Sequence, residues 1–311
     1  MTGVQTCALP IYFVITNCIF KSVWAGVRLG PESTSGVSGI TVSNCRFIDC
    51  HSGIKIQPSE GVVFEDLTFS NMNMQNVRQP LFLSSARYRL SGECRRVRPD
   101  PSILRRVLVD NLVATMPETS TGFRMCFNAI VGLPNACIED VTLRGLQIES
   151  HGGGTREMAD RAVIPELLDF TELYCETIHF MGELPASGLY ARNVKGLKVV
   201  DSRFVCANHD ERPAIHAENV SALEVRGVAA RNTSGCIRTA GCEGAVIREC
   251  TKDGAAVRSA IHWPPPLEQA RKAAYETALE VDREMETWAS AVDMAESGTL
   301  IQCMEADNAN R

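Results

Sequence analysis

The sequence of 311 residues contains no long hydrophobic run and no basic block. No apolar stretch approaches the roughly 18 residues that a membrane-spanning helix needs, so no membrane segment is predicted. The formal net charge is −6 and no cluster of Lys and Arg is present, which gives no support for nucleic-acid binding. With 45% hydrophobic and 22% charged residues, the composition is typical of a soluble globular protein with a large core.

Several catalytic and cofactor motifs are also absent from the sequence. No CxxC or mixed His/Cys spacing indicates a zinc site, and no glycine loop of the nucleotide-binding type is present. The segment HGGG (151–154) resembles an oxyanion loop, but no Gly-x-Ser-x-Gly motif accompanies it, so an esterase is not predicted. We therefore predict no cofactor and no metal.

The 13 cysteines form an odd and high number. A secreted chain with so many would be expected to pair them. Cys18 and Cys45 occupy the same place in consecutive repeats, which predicts inward-facing thiols stacked in a core. Cys236 and Cys242 are interpreted as core residues as well. Unpaired cysteines favour a reducing compartment such as the bacterial cytoplasm.

The first residues, MTGVQTCALPI, resemble the translation of a sequencing-library adapter. We expect residues 1–11 to be non-native, with the genuine sequence beginning at Tyr12. The coils upstream of Tyr12, and any signal peptide, would then be missing from this sequence. The alternative is a short native strand over Leu9–Ile15.

A repeat of about 25 residues organises the chain. Each unit alternates apolar and polar residues, then has Asn, Asp or Gly, then a second short apolar run. Asn17, Asn44 and Asn71 are each 27 residues apart. Gly145 takes the same place one repeat after Asn111, and Gly227 takes the same place one repeat after Ser202. The units are FVITNCIF (13–20), ITVSNCRF (40–47), FEDLTFSNMNM (64–74), RRVLVDNLVA (105–114), IEDVTLRGLQI (138–148), LKVVDSRFV (197–205) and LEVRGVAAR (223–231).

This pattern predicts an all-β fold, a right-handed parallel β-helix. Alternation with period two indicates strands, and Asn or Gly marks a bend where the left-handed conformation costs little. Such a unit buries its apolar face only by stacking on its neighbours. Asn at equal spacing predicts a ladder of side-chain amides at the turn. Leucine-rich repeats also use Asn at a bend, but their Leu-x-x-Leu-x-Leu pattern is absent.

The β-helix is predicted over residues 12–260, with a polar loop at 87–103 and a long insertion at about 149–187. We expect the insertion to fold over one face of the solenoid because it is too long for a turn. Apolar residues three and four apart predict an amphipathic C-terminal helix over 264–297. This helix either covers strand edges of the solenoid or forms a coiled-coil arm of a homo-oligomer.

The segments WAGVRLGPE (24–32), GIKIQ (53–57) and NVRQPLFL (76–83), with their Asn-Cys-x-Phe lead-ins, resemble central coils of the polygalacturonase-like enzymes, glycoside hydrolase family 28. The segment 181–204 is similar to bacterial members of that family. The resemblance covers about two-thirds of the chain. It implies the pectin-lyase-like solenoid, a pectic substrate, and inverting hydrolysis of glycosidic bonds by Asp residues.

The chain departs from the family pattern at three positions. Trp24 stands at the family His, and an indole cannot relay a proton. Lys55 replaces an Arg and loses its bidentate geometry, and Gln57 replaces a Lys. A neutral or singly charged sugar therefore fits better than a polyuronate. The family's catalytic Asp residues would belong to the missing upstream coils, so the acid and base are not assigned.

Outward residues on consecutive coils are the candidate sugar-binding site. Arg28, Lys55 and Gln57 alternate with apolar residues, which predicts an outward row of cationic and amide groups, with Trp24 stacking on a sugar ring. The full set of substrate-binding candidates is Trp24, Arg28, Glu32, Lys55, Gln57 and Arg78. The weaker candidates are His51 at a turn and Glu166 and Asp169 in the insertion.

Three functions compete for this sequence. The first is a glycosidase of the polygalacturonase-like class, with a carbohydrate as its partner. The second is a non-catalytic carbohydrate-binding β-helix of the tail-spike or adhesin kind. The third is a polysaccharide lyase, which usually needs Ca²⁺ held by acidic clusters on neighbouring coils, and no such cluster is evident in the sequence.

Overall fold

The computed structural model describes residues 11–30, 33, 35–58, 61–85, 101–118, 126–163 and 183–263. Within these ranges the chain is nearly all β, with 20 strands joined in one sheet. The strands are β1 (Ile11–Thr16), β2 (Ile19–Phe20), β3 (Ala25–Leu29), β4 (Val37–Ile48), β5 (Ser52–Ile56), β6 (Val63–Gln75), β7 (Gln79–Ser84), β8 (Ile103–Thr115), β9 (Ala129–Val131), β10 (Ile138–Ser150), β11 (Leu189–Val200), β12 (Arg203–Asp210), β13 (Ile215–Ser221), β14 (Glu224–Arg226), β15 (Ala229–Thr233), β16 (Ile237–Ala240), β17 (Val246–Arg248), β18 (Cys250–Lys252), β19 (Ala255–Val257) and β20 (Ile261–His262).

Neighbouring strands are parallel, and each pairs with the strand one turn of the chain later. A first face has the order β1–β4–β6–β8–β10–β11–β14–β17. A second face continues along the same long strands, in the order β2–β4–β6–β8–β10–β12–β15–β18. A third face has the order β3–β5–β7–β9–β11–β13–β16–β20. The β18–β19 hairpin is antiparallel. The prediction of an all-β fold of stacked parallel coils is confirmed.

The core lies between the faces and is built from the inward half of each alternating strand. In β6, for example, Phe64, Leu67, Phe69, Met72 and Met74 are buried in one apolar cluster that continues through the coils above and below. Because the same strand positions stack on every coil, each coil buries the apolar residues of its neighbours.

The predicted asparagine ladder is present at the bend between the first and second faces. Nδ2 of Asn71 donates to Oδ1 of Asn44 at 3.0 Å, and Nδ2 of Asn111 donates to Oδ1 of Asn71 at 2.9 Å. These residues have φ near 55°, the left-handed region that Asn tolerates better than most residues. Gly145 stacks on Asn111 with φ 66°. The alignment of Gly227 with Ser202 is wrong by one residue, because Gly227 lies over Asp201.

The cysteines behave as small core residues. Cys45 is buried, and Cys18 packs against the same apolar cluster, as predicted. Cys236 is buried and Cys242 packs against the cluster. Cys50, Cys206 and Cys250 are buried as well.

The one helix of the described ranges, α1 (Arg156–Asp160), is capped by Thr155, whose hydroxyl accepts from the Met158 N–H. Residues 156–163 and 183–187, near the two ends of the predicted insertion, have side chains in contact with the outer side of the third face. The predicted C-terminal helix (264–297), residues 1–10 and most of the loop at 87–103 lie outside the described residues. No helix in the described ranges has the length and apolar character needed to cross a membrane.

Candidate functional site

The third face presents the predicted row of outward residues. Arg28 on β3 is the Cα partner of Lys55 on β5, and Lys55 is the partner of Phe82 on β7. Ile54 and Ile56 belong to the core cluster, so the residue between them faces outward. The alternation in the sequence therefore gave the correct orientation for Arg28 and Lys55.

Burial differs along this row. Arg28 is exposed, whereas Lys55 is 1% exposed and Gln57 3% exposed. Nζ of Lys55 lies 5.8 Å from the centroid of the Phe82 ring, and Nε2 of Gln57 donates to Oγ of Ser84 at 3.3 Å. The sequence predicted that Lys55 and Gln57 line an open surface. This prediction is wrong, because both side chains are buried.

The physical reason is a second apolar cluster on the outer side of the third face. Phe82 and Phe127 pack edge to face, with ring centroids 5.7 Å apart. The cluster comprises Phe82, Phe127, Ala129, Val131, Leu133, Ala136, Val163, Leu184, Ala186 and Tyr190. Outward positions next to this cluster are thus covered rather than solvated, which period-two alternation does not reveal.

Three further candidates share one position at the turn before the third face. The N–H of Ser52 donates to the Trp24 carbonyl, and the N–H of Gln79 donates to the His51 carbonyl, so Trp24, His51 and Arg78 follow one another on successive coils. Trp24 is 53% exposed and Arg78 is half-buried. His51 is buried, with Nδ1 3.2 Å from Oγ of Ser52. The structure brings these three residues together in one column, which lies at the opposite end of β3 from Arg28.

The remaining candidates, Glu32, Glu166 and Asp169, lie outside the described residues and stay predictions.

A group of polar residues on the third face was not predicted. On β11 and β13, Tyr190 is the Cα partner of His216, and Arg192 is the partner of Glu218. We call these four residues the polar square. Each is at most 3% exposed. The residues between them, Ala191 and Ala217, belong to the core cluster, so the polar square faces outward.

Contacts to the Glu218 carboxylate connect the polar square internally. Nε of Arg192 lies 3.3 Å from Oε2 of Glu218, and Nε2 of His216 lies 3.4 Å from Oε1. The Tyr190 and His216 rings are tilted, with centroids 5.8 Å apart. Arg192 and His216 therefore contact the two oxygens of the Glu218 carboxylate, and Tyr190 packs against His216.

Arg238 on β16 is the Cα partner of His216. It links the polar square to residues 156–163 and 183–187, which contact the outer side of the third face. Its Nε donates to Nδ1 of His216 at 3.0 Å, and Nη1 donates to Oδ1 of Asp160 at 3.3 Å. Nη2 donates to the carbonyls of Ala159 and Pro185. The guanidinium also lies over the Trp263 ring, 4.5 Å from the centroid. Arg192 donates similarly to the Val163 carbonyl.

The environment shifts the pKa values of this group. Burial lowers the pKa of His216, more than Glu218 raises it, so the imidazole is neutral. Burial alone would raise the pKa of Glu218, but the adjacent His216 N–H and the charge of Arg192 bring it below the usual value. Burial and the charge of Glu218 raise the pKa of Tyr190, which keeps its hydroxyl protonated. The polar square thus holds one carboxylate, one neutral imidazole, one phenol and one guanidinium.

A sequence signal for the polar square exists. LYAR (189–192) and IHAE (215–218) both alternate an apolar or small residue with a large polar one. Each is followed directly by an Asn, and these two residues, Asn193 and Asn219, are 26 residues apart. The repeat alignment began after these segments and therefore did not include them.

No protein-family profile matches the chain, and a search of curated proteins finds no significant match. In the described ranges, no group of three or more His, Cys, Asp or Glu residues could hold a metal ion.

Proposed function

We propose that this protein is a glycoside hydrolase of the polygalacturonase-like class, with the right-handed, pectin-lyase-like form of the parallel solenoid. Its substrate is a pectic or related oligosaccharide, bound on the outer side of the third face, and the glycosidic bond is cleaved with inversion.

The observation that carries the proposal is the set of outward groups at the start of the third face. Trp24 and Arg28 are exposed on the first coil, and Arg78 is half-buried on the third. An indole face can stack on a sugar ring, and guanidinium groups donate to hydroxyl or carboxylate oxygens. Neighbouring parallel strands are about 4.8 Å apart, so these groups are spaced along an extended ligand rather than around a compact one.

A second function, non-catalytic carbohydrate binding, is favoured by one specific observation. An inverting glycosidase needs two carboxyl groups about 6.5–9.5 Å apart. In the described strands of the third face, Glu218 is the one outward residue with a carboxylate, and it is buried against Arg192 and His216. A binding protein does not need the second carboxylate.

The two functions are separated by incubating the purified chain with galacturonan and galactan oligosaccharides. New reducing ends with inverted anomeric configuration, seen by proton NMR, support the hydrolase. Binding seen by calorimetry without new reducing ends supports the binding protein, unless cleavage appears once the upstream coils are joined to the chain, which supports the hydrolase. Neither binding nor cleavage of any of these oligosaccharides would reject both.

A further inference from the structure

Two buried thiols meet in the core where the last described strands of the solenoid lie. Cys236 directly precedes β16 and is 2% exposed, and Cys250 begins β18 and is 1% exposed. Sγ of Cys236 lies 4.0 Å from the Val228 carbonyl oxygen. The N–H of Thr251 donates to the same carbonyl at 2.8 Å, which places Cys250 over Val228 on the next coil. The two cysteine side chains therefore approach one backbone carbonyl from different strands.

The two thiols also contact each other, and this contact changes their acidity. The hydrogen bond between the two sulfurs is the largest influence on both groups, because it lowers the pKa of Cys250 and raises the pKa of Cys236. Burial acts to raise both pKa values, but for Cys250 the hydrogen bond outweighs burial. Because the thiolate and not the thiol is the nucleophile, Cys250 is the member of the pair that reacts first.

A second pair of neighbouring cysteines has a different geometry. Cys18 and Cys45 are in register on adjacent parallel segments, since the N–H of Arg46 donates to the Cys18 carbonyl. In-register residues of parallel strands are held at the strand spacing of about 4.8 Å, whereas a disulfide needs Cβ atoms about 3.5–4.5 Å apart. Cys236 and Cys250 belong to the third and second faces, so the strand spacing does not set their separation.

We propose that Cys236 and Cys250 form a redox-active dithiol, which a small disulfide such as glutathione disulfide oxidises to an internal disulfide between two successive coils. The Cys250 thiolate attacks one sulfur of the small disulfide, and the first small thiol leaves with the proton that Cys250 had lost. Cys236 then attacks the Cys250 sulfur and gives its proton to the second small thiol as that thiol leaves. The chain loses two hydrogen atoms with their electrons, and one small disulfide becomes two thiols. This site is independent of the proposed sugar binding.

The short strands around the pair give the oxidant its access. Strands β17 to β20 are two or three residues long, so few ladder hydrogen bonds hold this part of the solenoid closed. Val246 and Ile261, on these strands, are 39% and 50% exposed. Local opening of the short strands exposes both sulfurs to the small disulfide. Once formed, the disulfide joins residue 250 to the coil below it and restricts further opening.

Peptide mapping of the wild-type chain tests the pair. The full chain is incubated with glutathione disulfide or with dithiothreitol, then unfolded, alkylated, digested and analysed by mass spectrometry. After oxidation we expect a cross-linked peptide that joins Cys236 to Cys250, and none that joins Cys18 to Cys45. Recovery of Cys236 and Cys250 as alkylated thiols, or a disulfide from either one to any other cysteine instead, overturns the proposal.

Amide hydrogen exchange measures the consequence of the cross-link. Exchange in residues 246–262 should be about tenfold slower in the oxidised than in the reduced chain, because the disulfide suppresses local opening. Residues 63–75, in β6, are the internal control and should exchange equally in both forms. Equal exchange of residues 246–262 in the two forms would overturn the inference that the disulfide joins the coils.

Variants assign the order of attack. Cys236→Ser lacks the second thiol, so Cys250 should be recovered as a mixed disulfide with glutathione. Cys250→Ser lacks the attacking thiolate, so Cys236 should remain a thiol. Cys206→Ser, at another buried cysteine, is the matched control and should form the cross-link as fast as the wild type. A mixed disulfide on Cys236 in the Cys250→Ser variant would contradict the assignment of Cys250 as the first nucleophile.

Discussion

Nε of Arg238 donates a hydrogen bond to Nδ1 of His216 at 3.0 Å, which fixes the proton of the neutral imidazole on Nε2. Burial lowers the pKa of this imidazole, and Arg238, Glu218 and Tyr190 contact it. The pH dependence of folding follows from this arrangement.

The unfolding free energy is expected to decrease as the pH falls from 7 to 5.5. The unfolded chain protonates its histidines near pH 6.5, whereas folded His216 stays neutral, so the unfolded state binds more protons. The stability that His216 contributes is fully present above about pH 6.5 and is lost below it. His216→Gln offers Arg238 a neutral acceptor and should flatten this part of the dependence. Urea unfolding at both pH values measures it, with the exposed His209→Gln as control. The same decrease in wild type and His216→Gln would contradict the assignment.

Arg238 should hold residues 156–163 and 183–187, here called the strap, on the third face. Arg238→Met keeps the length of the side chain but removes the donor to Ala159, Pro185 and Asp160. We expect a loss of about 2 kcal/mol in unfolding free energy. We also expect faster amide exchange in residues 156–163 than in the coils. Arg226→Met, at an exposed arginine on β14, is the control. Unchanged exchange in 156–163 would show that other contacts hold the strap.

The sequence was sufficient for the coils because their information is local and periodic. Asn44, Asn71 and Asn111 mark one bend, and alternation around Ile54 gives the correct outward direction of Lys55. What covers the outer side of the third face was not predictable in this way. The strap reaches Tyr190 and Arg238 from distant parts of the chain, and no repeat spacing encodes such a contact. The sequence therefore predicted that Lys55 points outward but did not predict that Lys55 is buried.

The asparagine ladder should contribute measurably to stability. Asn71→Ala removes the bonds to Asn44 and from Asn111 and leaves a Cβ-bearing residue at φ 55° without a polar side chain. We expect a loss of about 1–3 kcal/mol in unfolding free energy. Asn71→Gly loses the same bonds but adopts this φ without strain, so its loss should be smaller. Asn73→Ala, an exposed position on the same strand, should change stability by less than about 0.5 kcal/mol. Equal stability of wild type and Asn71→Ala would remove the ladder from the stabilising contacts.

Trp24 is the most direct test of sugar binding at the start of the third face. Its side chain is 53% exposed, so Trp24→Ala removes an accessible aromatic surface and leaves the core cluster intact. If the indole stacks on a sugar ring, the variant should bind galactan or galacturonan oligosaccharides about 1–2 kcal/mol more weakly. Val23→Ala is the matched control, because Val23 is the adjacent residue and is 79% exposed. Calorimetry gives the affinities, and thermal unfolding should be the same for both variants. An affinity that Trp24→Ala leaves unchanged would mean that the exposed indole does not contact the sugar, and the binding surface would then have to be sought elsewhere on the solenoid.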